Sequence, residues 1–175
     1  SGTYARRRMY DVRDYLGADD IGAAINRAYA AAAADAYEFG KPGQVVLPPL
    51  NEALTTTIVP ISGVDLIGSG WGKTVLRPQG LVAAFAKDYS TLSPLADATF
   101  ANFEIDGSEQ AGTFSVTIKG MYLTFLKRVT FQHLLIRHTG ASGLGCDFLY
   151  DTLIDDVIAE DCGRLGTISS PGCAG

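Results

Sequence analysis

From Asp19 to Glu38 the apolar positions keep a helical interval. Ile21, Ala24, Ile25, Ala28 and Ala32 recur at spacings of three and four, which places them along one face of a helix. Alanine dominates the segment and is the strongest helix former. Asp19 or Asp20 can cap the N-terminus, where a carboxylate accepts from free backbone N–H groups and meets the positive end of the helix dipole. Gly40 and Pro42 end the helix. The apolar stripe is narrow, as suits a helix laid across the end of another structure. After Gly43 the pattern changes to short β-type runs parted by Gly, Pro, Asn and Asp: Gln44 to Leu47, Thr57 to Val59, Val64 to Ile67, and Thr74 to Leu76. No second amphipathic helix follows. Doubly wound α/β folds need a helical crossover for each pair of parallel strands, so that architecture is excluded.

Large apolar residues then recur at offsets of zero, three and five. Phe100, Phe103 and Ile105 set the pattern, which returns as Phe131, Leu134 and Ile136 and as Ile154, Val157 and Ala159, with a fainter earlier copy at Ile61, Val64 and Leu66. A second set moves with it: Met121, Leu123 and Phe125 match Leu144, Cys146 and Phe148 at a shift of twenty-three. Successive coils of a solenoid place equivalent side chains above one another, so such a repeat predicts an inward apolar ladder. The thirty-one positions from Phe100 to Phe131 then require a longer corner loop in the earlier coil, which loop-closure entropy tolerates. The expected fold is mainly β, a right-handed parallel β-helix with an N-terminal capping α-helix, and an antiparallel sandwich is the alternative. The chain divides into an arm and first strand (1–18), the capping helix (19–40) and the first coils (41–175). An open β-helix end exposes strand edges and core, and the helix is expected to cover one end. No such cap appears in the turn-rich stretch from Ser169 to Gly175, so the chain is expected to continue beyond it.

At 175 residues and 47% hydrophobic the chain can bury one substantial core. Its formal net charge of −5 supplies no cationic field for a polyphosphate, which argues against nucleic acid. The basic cluster Arg6-Arg7-Arg8 fits a solvated arm or a subunit contact. No apolar run is long enough for a membrane span, and Ser1 to Tyr4 lacks the order of a signal peptide. Cys146, Cys162 and Cys173 match no zinc spacing and are expected to be reduced and partly buried, with disulfide pairing or metal binding as alternatives. The stretch from Gly68 to Thr74 ends in Gly-Lys-Thr, but Ile67 stands where a phosphate-binding loop requires its first Gly, and a strand follows instead of a helix. It is expected to form a corner, and no cofactor is expected.

With these elements in place the chain resembles the pectate-lyase-like β-helix proteins, which include many phage tail spikes. The resemblance is carried by Tyr10 to Asp20, by Ala23 to Ala28, by Gly43 to Pro49 and by Gly63 to Gly70 with its Leu-Ile-Gly-Ser-Gly turn. The acidic loop after Gly17-Ala18 is shorter than the family's. Gly143 to Thr152, with Glu160 to Arg164, looks most like the minor tail proteins of phages that infect actinobacteria. The resemblance implies a homotrimeric virion tail component, assembled in the host cytoplasm with other tail proteins and exposed outside the cell at the host envelope. There it would serve structure and attachment. It does not imply a reaction, because this fold carries lyases, hydrolases and adhesins alike. The alternative function is a polysaccharide-degrading lyase or glycoside hydrolase.

Glycoside hydrolysis needs two carboxylates in different protonation states. The pool is Asp106, Asp147, Asp151, Asp155, Asp156, Glu160 and Asp161, with Asp106, Asp147 and Asp151 the catalytic candidates, and no spacing fixes two of them on one outward face. A lyase needs a base and a cation opposite the uronate, for which Lys119, Lys127, Arg128 and Arg137 are available, without calcium-loop spacing among the acids. His133 and His138 are expected to be surface or stacking residues. Trp71, Tyr122 and Tyr150 are the candidates for stacking on a sugar face, with Tyr89 a further aromatic. Tyr122 and Tyr150 alternate with inward positions and are expected outward or at corners, where a contact between subunits is the other use.

Overall fold

The computed structural model describes residues 7–112 and 117–166, apart from the side chains of 37–39. One helix, α1 (Ile21–Phe39), precedes nine of ten strands: β1 (Met9–Asp11), β2 (Gln44–Val46), β3 (Leu50–Leu54), β4 (Asp65–Ile67), β5 (Thr74–Pro78), β6 (Phe85–Asp88), β7 (Leu95–Asp106), β8 (Met121–Arg137), β9 (Leu144–Tyr150) and β10 (Leu153–Glu160). All the pairings among the described residues are parallel and form one large sheet. The sheet bends at corners without closing on itself. Three ladders make it up: β1–β2–β4–β7–β8–β10, then β3–β5 joining the second half of β7, and β6–β8–β9. Among the described residues the protein is therefore mainly β, with a parallel sheet and a single α-helix. None of its described helices is long and apolar enough to cross a membrane.

The repeat of zero, three and five has a local cause. In an unbroken strand two residues three apart face opposite sides, yet Phe100 and Phe103 are both fully buried, as are Phe131 and Leu134. Between them stands a residue in the left-handed region: Asn102 at φ 62°, and in the same column His133 at 50° and Asp156 at 51°. That residue turns the chain so that the next side chain faces inward again. Asp97, Arg128 and Asp151 form a second column, Phe125 and Phe148 a third, and His138 and Asp161 a fourth; among the described residues, the non-glycine positive-φ residues all fall in these four. The turns stack because the register is kept, with Phe100 beside Phe131 and Phe131 beside Ile154. Inside, the Phe100 and Phe131 rings stack at 5.2 Å and Phe85 meets Phe100 edge-on at 5.7 Å.

Three expectations are corrected. Leu66 pairs with Phe100 and Leu76 with Ile105, so Ile61, Val64 and Leu66 are not a copy of the repeat in register. The cause is corner length, which varies among the early strands. Phe125 and Phe148 are not part of the inward ladder: their left-handed backbone turns them outward, where their rings stack at 4.4 Å. Thr57 to Val59 forms only a bridge at Ile58, and Leu50–Leu54 is a strand whose polar centre gave no β signal. Cys146 and Cys162 are free thiols, half-buried, and burial pushes the Cys146 thiol up to about 12. Arg6, Cys173 and the stretch Ser169 to Gly175 lie outside the described residues.

The helix is fastened by polar side chains. Asp20 caps it by accepting from Ala23 N (3.2 Å), and its other oxygen accepts from Thr55 N (2.5 Å) and Thr56 N (2.8 Å). The Asn26 amide donates to Thr57 O (3.0 Å) and accepts from Val59 N (2.9 Å), as a neighbouring strand would. A Cβ on Gly22 would meet Thr56 O at 1.9 Å, so only glycine permits this approach. The buried face, Ala24, Ile25, Ala28, Tyr29 and Ala32, joins the main core.

Two outcomes follow. Asn102→Gly is expected to leave stability unchanged or raise it slightly, whereas Asn102→Val is expected to cost about 1–2 kcal/mol in urea unfolding, because a β-branched residue is strained at positive φ. Burial alone would raise the Asp20 carboxyl, but the Thr56 hydroxyl and the Thr56, Thr55 and Ala23 N–H groups outweigh it and hold it down to about 2. A depressed folded-state pKa gives stability that is present above the unfolded value near 4 and is lost as pH falls towards 2. Asp20→Ala is thus expected to cost about 1 kcal/mol at neutral pH, with the gap to the parent closing over that window in acid titrations followed by circular dichroism.

Candidate functional site

The loop 89–94 between β6 and β7 stands away from the corner where β8 turns. Between them lies an open groove of about 530 Å³ lined by Thr91, Leu92, Pro94, Phe125, Lys127, Tyr150 and Asp151. Parallel register builds one wall, since Lys127 and Tyr150 are partners across β8 and β9. The left-handed turns at Phe125 and Asp151 aim those side chains outward. Tyr150 is 56% exposed and Leu92 on the lip 97%. The loop is anchored by Tyr89, whose N–H donates to Thr124 Oγ1 (3.1 Å) and whose hydroxyl donates to Pro60 O. Burial pushes that hydroxyl's pKa up; Tyr89 is thus a structural anchor. Lys127 has no ion-pair partner among the described residues, whereas the adjacent Arg128 is held by Asp97 through two bonds of 2.6 and 2.8 Å. An aromatic face, a free ammonium and a carboxylate thus share one concave surface, a combination able to stack on a sugar ring and bond its polar substituents.

Of the candidate residues, this groove brings together Lys127, Tyr150 and Asp151. Tyr122 and Asp147 lie elsewhere on the β6–β8–β9 ladder: Asp147 pairs with Thr124, and Lys119 Nζ sits 4.0 Å from the Tyr122 ring centre. Burial, then the charges of Asp88 and Asp147, raise the Tyr122 phenol. Trp71 stacks on His133 at 4.2 Å with nearly parallel rings and donates from Nε1 to His133 O (2.8 Å), so one ring face is already covered. His133 Nδ1 in turn lies 2.6 Å from Asp156. Asp106 is enclosed by Ser108 N–H (3.0 Å), His138 Nδ1 (3.3 Å) and Arg137 (3.8 Å). Burial alone would raise its pKa, but these groups outweigh it and lower it, which keeps Asp106 ionised at neutral pH and unsuited to act as a general acid.

Sequence reasoning passed over Glu104. Its position between the inward Phe103 and Ile105 resembles a solvated outward site, yet it is 2% exposed. The corner of 70–73 folds over it: Gly72 N–H donates to Glu104 Oε2 (2.8 Å), and Arg137 lies 2.7 Å from Oε1. The only hint in sequence was the glycine pair Gly70 and Gly72, both at positive φ, which lets that corner lie close.

No protein-family profile and no curated protein matches the sequence. Among the solved structures that resemble the fold are the following three. Geobacillus virus E2 ORF18 matches at 20% identity and TM-score 0.57, over 74% of this chain and 26% of that one. The A-module of the Azotobacter vinelandii mannuronan C-5 epimerase AlgE6 matches at 16% and 0.68, over 87% and 50%. A provisionally assigned glycosyl hydrolase from Parabacteroides merdae matches at 13% and 0.70, over 91% and 78%. The chain thus spans about a quarter of the viral protein and half of the epimerase module. At these identities the likeness is one of fold.

Arg137→Ala would leave Glu104 buried without its countercharge and is expected to cost about 3 kcal/mol in urea unfolding. Glu104→Gln in that background is expected to recover part of the loss, and an additive double mutant would contradict the pairing.

Proposed function

We propose that the chain is the opening section of a right-handed, pectate-lyase-like parallel β-helix in a phage tail protein, and that it contacts glycan on the host surface. The observation that carries the glycan contact is the groove of Tyr150, Lys127 and Asp151, with its exposed aromatic ring and unpaired ammonium. Support for the solenoid comes from the all-parallel pairing and its recurring shift of twenty-three, seen as Leu123 beside Cys146 and Leu134 beside Val157. Support for a tail protein comes from the sequence resemblance to tail spikes and minor tail proteins, with a viral protein among the solved structures of like fold. In this reading the protein works in the virion as a homotrimer among other tail proteins.

Attachment without cleavage is favoured by the state of the carboxylates. Asp106 is held ionised by its neighbours, and Asp147 lies outside the groove lining. Asp151 alone among the candidate acids faces the groove, and a hydrolase needs two. One observation favours a degradative reading: Lys127 shares the groove with Asp151, and an unpaired lysine can serve as a proton acceptor when its charge is suppressed.

The test is incubation of the protein with envelope polysaccharide from actinobacterial cells, following binding, new reducing ends and unsaturated-sugar absorbance. Saturable binding without either product is expected. Lys127→Ala with Tyr150→Ala is expected to weaken it about tenfold, equivalent to about 1.4 kcal/mol, while Asp106→Asn leaves it unchanged. Product release would replace attachment by depolymerisation, and absence of binding, or equal binding by the double variant, would overturn the groove assignment.

A further inference from the structure

The left-handed turns are filled in two ways. Among the described residues, eight of the ten non-glycine residues at positive φ are Asp, Asn, His or Arg, and the other two are Phe125 (φ 53°) and Phe148 (φ 58°). Asn, Asp and His visit this region readily, whereas a bulky apolar side chain there is strained. The fold does not ask for a phenyl ring at such a turn, since the column of Asn102, His133 and Asp156 bends with polar residues. Backbone strain of this kind collects at ligand contacts, where the surrounding structure holds it in place.

The register shows what the Phe125 ring faces. Asp88 lies beside Thr124 and Leu95 beside Leu126, so the six residues 89–94 occupy, one layer below, the place that Phe125 alone fills in β8. One layer above, Asp147 lies beside Thr124 and Leu149 beside Leu126, which sets Phe148 opposite Phe125. The two rings stack at 4.4 Å and 9° from parallel. One face of Phe125 is thus covered by Phe148, and the other turns toward the loop 89–94. Phe125 therefore meets the groove between two layers, beneath a covering ring.

The loop completes an apolar side. Leu92 and Pro94 line the groove with Phe125, while Lys127, Tyr150 and Asp151 supply the polar side. Ser93 N–H donates to Ser90 Oγ (3.1 Å), which holds the tip of the loop in a turn, and Tyr89 anchors its base. A purely ionic ligand would leave the apolar side in water. A purely apolar one would desolvate Lys127 and Asp151 without answering them. The groove suits a ligand with one side of each kind.

We propose that Phe125 is the residue that selects the glycan in this groove. Its free ring face receives the apolar C–H face, or a methyl-bearing substituent, of a pyranose whose polar edge lies against Lys127 and Asp151. This rests on the glycan reading above and narrows it to sugars that offer an apolar side. The strained backbone at Phe125 is retained for that contact.

The test is isothermal titration calorimetry of the whole chain with envelope polysaccharide from actinobacterial cells, at two temperatures. The parent is expected to bind with a negative heat-capacity change, the mark of apolar burial. Phe125→Asn, which suits the left-handed backbone, is expected to weaken binding about tenfold and to shrink that heat-capacity change, while its urea midpoint equals or exceeds the parent's. Phe125→Tyr keeps the ring and is expected to bind within about twofold of the parent. Undiminished binding by Phe125→Asn, or equal loss in Phe125→Tyr, would overturn this proposal and leave the glycan reading standing. A urea midpoint of Phe125→Asn well below the parent's would assign the ring to the fold and overturn it too. Absence of binding by the parent would overturn the glycan reading and this proposal with it.

Discussion

Parallel, in-register stacking is the constraint from which the other features follow. It sets each residue beside its counterpart in the next layer, about 4.8 Å away, so each column must be tolerable to itself. Apolar columns satisfy this easily, and Phe100, Phe131 and Ile154 form one. A charged column satisfies it only if neighbours differ in sign, as Asp106, Arg137 and Glu160 do. The same rule that fills the core therefore patterns the surface.

The turns obey the constraint as well. A left-handed residue is costly for most side chains, and a column of them stays aligned only if every layer bends at the same place. Asn102 and Asp156 are short polar residues that visit this region readily, with His133 between them. Phe125 and Phe148 are poor choices for it, and their outward stack at 4.4 Å offsets part of the cost. The Lys127 and Tyr150 groove arises beside these turns because they aim side chains away from the core.

Much of the fold was legible because the apolar pattern records which side chains face inward. The helix boundaries lay within two residues of Ile21–Phe39 because Asp20 and Gly40 are strong end signals. The repeat at Phe100, Phe131 and Ile154 was legible at both of its spacings. Ile61, Val64 and Leu66 misled because the same offsets arose by chance where corner lengths differ. Leu50–Leu54 was invisible because its centre, Asn51 and Glu52, has no β preference. At the surface, Tyr150 and Asp151 could be named singly, but the opposing wall, Leu92 and Pro94, comes from a loop more than fifty residues earlier. Glu104 was missed for the same reason: its partner in the covering corner, Gly72, is distant in sequence, and no local pattern announces it.

The register itself can be tested by covalent capture. Gln132 and Asp155 are outward register partners on β8 and β10, at a separation that a disulfide spans. Cysteines at both positions, mildly oxidised and mapped by mass spectrometry of proteolytic peptides, are predicted to bridge to each other. A cysteine at Ile158 paired with that at 132 is predicted to remain free. Bridging of the offset pair in preference to the aligned one would contradict the stacked register on which the core, the turns and the charge alternation all rest.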